Sequence, residues 1–200
     1  TDKALLSIGG GQHGSVPSVD TSLAVATGSV VAAIASVPNQ PLRFAGESWN
    51  RYEDEIIAKT ARLYLDGGDD NWPALLPMVG SAVQAMNSVE SVALAQKNVT
   101  VNDFVVTGIS KRGWTTWLTA AVDDRVCAIA PCVINVLNMD EQMKHHKRAY
   151  EGVTTHTVGG YSDAVHDYVD EGVFDDLDSP RFQKMLSIFD VTGRKPIFAA

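Results

Sequence analysis

The sequence predicts an α/β fold with a mostly parallel sheet flanked by helices, and three observations carry that prediction. Short apolar runs alternate with helical patterns along most of the 200 residues, the form of a parallel sheet covered on both faces. One run, Phe104-Val105-Val106-Thr107, passes directly into Gly108-Ile109-Ser110-Lys111-Arg112-Gly113 and then into a helical pattern. Between residues 135 and 189 the pattern turns polar and irregular, as in a helical cap inserted between core strands. The domain division that follows is a partial core over 1–134, a cap over 135–190 and a return to a core strand over 191–200.

Taken in order, residues 4–8 form a short strand that ends in Gly9-Gly10-Gly11, and residues 30–37 form a second, closed by Pro38-Asn39-Gln40-Pro41. Ile56, Ile57, Thr60, Leu63 and Tyr64 recur at helical spacing, and Gly67-Gly68 stops that helix. Pro73 suits the first turn of a long helix with Leu76, Val79, Val83, Met86, Val89 and Ala93 on its apolar face, although Pro77 leaves its start open. After the strand that ends at Ser110, Trp114, Trp117, Leu118 and Ala121 mark one face of a helix packed on the sheet. Residues 126–134 then read as a buried strand in which Cys127 and Cys132 act as small hydrophobic side chains. Helical pieces are expected near 140–150, 161–171 and 180–188, and Lys195-Pro196-Ile197-Phe198-Ala199-Ala200 reads as one more core strand.

Composition excludes several functions. A hydrophobic content of 45% with 20% charged residues suits one globular domain with a substantial core. The net charge of -8 and a pI near 5.0 argue against a nucleic-acid or anionic-membrane surface. No apolar stretch approaches the roughly twenty residues of a membrane span, and two cysteines five apart do not form a zinc pattern. The glycine runs match neither a dinucleotide fingerprint nor a P-loop. Neither a cofactor nor a metal is implied. The chain starts at Thr1 without a leader-like apolar stretch, which points to processing or to a piece of a longer protein.

The junction at Ser110 has the form of a nucleophile elbow, in which a serine on a sharp strand-to-helix turn is held above the sheet between small residues. The backbone N–H of Lys111 would then face the oxygen that becomes an oxyanion during acyl transfer, and a loop at Gly10 and Gly11 would supply a second donor. The simpler alternative makes Ser110 a helix N-cap. Lys111 and Arg112 speak against it, because two cations in a first turn oppose the helix macrodipole. The same cations suggest a small-molecule or peptide substrate with negative charge, with Arg112 binding it, or else a salt bridge to a cap carboxylate. A base and an acid are needed as well. His145, His146, His156 and His166, with Asp140, Asp163, Asp167 and Asp170, are the candidates after the serine, and all fall in the irregular region.

Longer strings carry more than the serine motif does. Ala26-Thr27-Gly28-Ser29-Val30-Val31-Ala32, Val37-Pro38-Asn39-Gln40-Pro41-Leu42, Trp72-Pro73-Ala74-Leu75-Leu76-Pro77-Met78, Gly108 through Leu118, Asn135-Val136-Leu137-Asn138-Met139 and His145-His146 together resemble the PhoPQ-activated pathogenicity-related proteins, a branch of the α/β-hydrolase superfamily. The resemblance implies a serine-hydrolase-like protein, secreted or periplasmic, acting on an ester or amide with Ser110 as nucleophile. It also implies that the triad's acid, in a Gly-Asp-Glu segment, and its histidine lie past Ala200, so that this chain is the central and catalytically incomplete part. A non-catalytic signalling or binding protein that keeps the hydrolase fold is the alternative.

Overall fold

The structure, a computed structural model, describes residues 2–151 and 160–192. Among them, one compact unit is built from segments within 2–41 and 75–135, and a second from 42–74 together with the described residues from 136 onward. His156 and the strand expected over 195–200 lie outside the described residues.

The first unit holds a four-stranded parallel sheet in the order β2-β1-β3-β4, formed by β1 (Lys3–Ile8), β2 (Val30–Ile34), β3 (Asp103–Ile109) and β4 (Val126–Cys132). The expected α/β class is therefore present, with helices beside a parallel sheet. In β1 and β3 alternate residues are buried: Ala4, Leu6 and Ile8 in one, Phe104, Val106 and Gly108 in the other. Register matters most at the carboxyl ends, where Ile8 lies opposite Gly108 and Ile109 opposite Cys132. That pairing brings the loop after β1 and the turn after β3 to the same edge of the sheet, where open parallel sheets bind ligands.

Helix α1 (Thr21–Thr27) was not foreseen; it buries no side chain and is defined by its ends. Asp20 accepts from Ser22 N and Leu23 N, and Gly28 closes it in the left-handed region at φ 64°. The long helix α3 runs Leu75–Lys97, so Pro73 precedes it and Pro77 occupies its first turn, where the missing N–H costs nothing. Its buried stripe is Leu75, Met78, Ala82, Ala85, Met86 and Ala93, turned away from the expected Leu76, Val79, Val83 and Val89 toward smaller residues. Periodicity located the helix but ranked its faces by side-chain size, whereas close packing onto other elements favours alanine.

Cys127 and Cys132 are exposed, contrary to the buried strand the sequence suggests. Among the described residues β4 is the outermost strand of the sheet, so its residues lack a neighbour on one side. Helix α4 (Lys111–Val122) buries Trp114 and Leu118 as expected, while Trp117 and Ala121 are only partly covered. Thr115, Thr116 and Thr119 are fully buried instead, each satisfied by donating its hydroxyl to the carbonyl four residues back, at 3.0, 2.8 and 2.7 Å.

The second unit contains α2 (Glu53–Leu65), α5 (Met139–Tyr150), α6 (Asp163–Asp170), a 3-10 turn over Val173–Asp176 and α7 (Pro180–Phe189). Its polar centre is Arg51, which lies 2.8 Å from Glu47 and 2.7 Å from Glu171, with side chains only 9, 9 and 14% exposed. Lys59 faces both carboxylates at 3.7 and 3.4 Å. Hydrogen bonding to the Arg51 guanidinium holds the Glu47 carboxyl below the usual carboxylate range. Arg51→Ala is expected to destabilise this unit by about 3 kcal/mol in urea unfolding, since it strands two largely buried carboxylates. Because the Glu47 pKa is depressed on folding, its contribution is present above the ordinary carboxylate pKa and is lost as pH falls through the folded value. The parent should therefore lose stability on acidification more steeply than Glu47→Gln.

Candidate active site

Ser110 sits between β3 and α4 at φ 57° and ψ -125°. Positive φ alone is tolerated in the left-handed region, but a ψ this negative lies outside it, so a non-glycine residue is held here at a cost of about 1–3 kcal/mol. The surrounding backbone imposes it. Ser110 N donates to Cys132 O at 2.9 Å, and Trp114 N donates to Ser110 O at 3.1 Å, tying the residue to β4 on one side and α4 on the other. The turn closes only because two positions lack side chains. A Cβ on Gly108 would lie 2.5 Å from Arg112 O, and one on Gly113 would lie 2.6 Å from the Ile134 side chain and 3.1 Å from Cys132 O. The motif's displaced second glycine is thereby explained: Gly113 lets α4 approach the end of β4.

The N-cap alternative fails at the hydroxyl, which makes no capping bond. Ser110→Ala should therefore leave stability within about 0.5 kcal/mol of the parent, whereas loss of a working cap costs about 1 kcal/mol. Ser110→Gly should raise stability by about 1 kcal/mol, the strain relieved outweighing glycine's entropy. Urea unfolding of the two variants checks both, and a destabilised alanine variant would restore the cap.

The Gly9-Gly10-Gly11 loop is fastened by its carbonyls. Val37 N donates to Gly9 O at 3.1 Å, Ser36 N to Gly10 O at 2.9 Å, and Gln40 Nε2 to Gly11 O at 3.0 Å. Ser36 Oγ reaches Gln12 O at 2.6 Å, and His13 N reaches Gln40 O at 2.6 Å. Among the described residues, the N–H groups of Gly10 and Gly11 have no acceptor. Lys111 supplies the first N–H of α4, ahead of the helical ladder, and the residue is 7% exposed. Arg112 is 9% exposed and is turned inward, its Nε donating to Val37 O. Sequence reasoning placed Ser110, Lys111, Gly10 and Gly11 at this end of the sheet but missed the bracing turn at 36–40, whose signal was the pair of prolines around Asn39-Gln40.

The candidate bases and acids among the described residues belong to the second unit. His145 is exposed, while His146 packs against the Tyr150 and Tyr161 rings at 4.9 and 6.1 Å. Burial first, and then the charge of His145, lower the His146 pKa. His166 Nδ1 lies 3.0 Å from Asp170. Asp140 pairs with Lys144 at 3.0 Å, and Asp163 is exposed. The Asp167 carboxyl is pushed up, first by burial and then by Glu55 and Asp54. Among the described residues no cluster of histidine, cysteine and carboxylate side chains has a metal-binding arrangement, and no helix is long and apolar enough to cross a membrane.

The family model described as PhoPQ-activated pathogenicity-related protein matches residues 1–193. The chain belongs to this family. Among curated relatives of this PhoPQ-related chain, autocrine proliferation repressor protein A of Dictyostelium discoideum is 36% identical over 180 residues, which cover 88% of the chain and 34% of the relative. The chain therefore spans about a third of that protein's length. No solved structure matches it.

Proposed function

We propose that this PhoPQ-related chain is the central part of an exported serine hydrolase of the α/β-hydrolase type, with Ser110 as nucleophile for ester or amide hydrolysis. The observation that carries the reading is the backbone of Ser110, held at φ 57° and ψ -125° on a turn that Gly108 and Gly113 alone permit. Strain of this kind survives where the rest of the fold enforces it, and a strand-to-helix serine is the place where acyl-transfer chemistry uses it.

In this reading Ser110 Oγ attacks the substrate carbonyl carbon as its proton passes to a histidine base, expected from the family resemblance in the longer protein. The new C–O bond pushes the carbonyl π electrons onto oxygen, and the N–H groups of Lys111, Gly10 and Gly11 donate hydrogen bonds to the oxyanion that forms. Collapse expels the alcohol or amine, which takes the proton, and water then hydrolyses the acyl-serine. Labelling of the full-length protein with a fluorophosphonate tests the reading, with Ser110→Ala as control. Absence of labelling in the parent refutes it.

The name of the Dictyostelium relative, a proliferation repressor, favours a second reading. There the fold is kept for signalling or binding, and Ser110 is replaceable without loss of biological effect.

A further inference from the structure

We propose that Arg112 is a positioning residue that locks the Gly9-Gly10-Gly11 loop in place beside Ser110, an assignment that rests on the hydrolase reading above. Two residues after the serine, Arg112 carries a charge that a first helical turn disfavours, yet it is nearly buried rather than offered to solvent. Its guanidinium lies on the face of Gly10. A Cβ on Gly10 would stand 2.7 Å from Nη2, 2.9 Å from Cζ and 3.3 Å from Nη1, so the glycine is what lets the planar group settle against the backbone. From the same group Nε donates to Val37 O. Val37 N and Ser36 N in turn hold the carbonyls of Gly9 and Gly10 at 3.1 and 2.9 Å.

One side chain therefore links three segments: the start of α4, the glycine loop after β1 and the turn after β2. With the loop's carbonyls engaged by residues 36–40, its Gly10 and Gly11 N–H groups have no acceptor among the described residues. These are the donors an oxyanion needs, and their value depends on being fixed before the reaction begins. The element that carries the nucleophile thus also sets the distance to the donors. Lysine cannot replace this, since its ammonium has neither the plane that rests on Gly10 nor a donor at the Nε position.

The test uses the full-length protein with p-nitrophenyl acetate and a fluorophosphonate as probes. Arg112→Ala and Arg112→Lys should each lower kcat about tenfold or more while KM stays within about twofold, because donors that act on the oxyanion contribute in the transition state. Added guanidinium should restore part of the alanine variant's rate, and methylammonium should not. Gly10→Ala should cost about tenfold in the parent and under about threefold in the Arg112→Ala background, since the clash is with the guanidinium. Parent-like kcat and labelling in Arg112→Ala would overturn the proposal, as would a loss explained wholly by a smaller folded fraction. An inert, unlabelled parent would instead overturn the hydrolase reading and this role with it. A Gly10 and Arg112 double-mutant cycle in urea unfolding then reports the contact independently of activity.

Discussion

Ser110→Ala in the full-length protein is expected to abolish fluorophosphonate labelling and to lower ester turnover by about a thousandfold or more, while its unfolding midpoint stays close to the parent's. The two halves of this expectation come from different features. Loss of reactivity follows because in the hydrolase reading the hydroxyl is the attacking group, and without it the remaining donors can assist only the much slower attack of water. Retention of stability follows because the hydroxyl makes no hydrogen bond among the described residues, so its removal leaves no partner unsatisfied. Intact-mass measurement after labelling, set beside urea unfolding of the same preparations, reads both. Equal labelling of parent and variant would move the reactive group elsewhere. Retained signalling in an unreactive Ser110→Ala protein would favour the non-catalytic reading.

The elbow was legible because three separate signals coincide within ten residues, 104–113: an apolar strand, glycines on both sides of a serine, and cations where a helix should begin with acids. The last is a local conflict, and such conflicts gather at sites where function or tertiary contact overrides propensity. What the conflict meant was not legible. Lysine and arginine after a candidate nucleophile read as substrate-facing charge, yet both residues are buried, and the guanidinium of Arg112 rests beside Gly10 with its Nε donating to Val37 O. The helical pieces of the second unit were visible as patterns, with the expected piece near 180–188 observed as Pro180–Phe189 behind the Ser179 cap. Its ion-pair centre was not, since Glu171 is brought to the Glu47 and Arg51 pair from more than a hundred residues away. Pattern along a chain reports faces and ends; it does not report which distant charges meet. The strand over Val126–Cys132 shows the complementary limit, because an apolar run looks the same whether it is central or outermost.

Gly108→Ala is expected to destabilise the first unit by about 3 kcal/mol and to abolish labelling of whatever remains folded. The added methyl would lie 2.5 Å from Arg112 O and 2.6 Å from Arg112 C, both backbone atoms of the first helical turn, so no rotamer change relieves it. Either β3 or α4 must shift, and Ser110 lies between them. Gly108 has no positive φ, so alanine's backbone preference offsets part of the cost through the unfolded chain. A graded series separates this contact from a general aversion to alanine. Gly80, inside α3 with nothing within 4 Å of its added Cβ, should gain about 0.5–1 kcal/mol on replacement by alanine. Gly113→Ala should fall between, because its 2.6 Å neighbour is the Cγ2 branch methyl of Ile134, a side-chain atom rather than backbone, while its backbone neighbours stand at 3.1 Å. If Gly108→Ala is no worse than Gly113→Ala in urea unfolding, the turn tolerates opening. In that case the positive φ of Ser110 is not enforced by the close approach of Gly108 to α4.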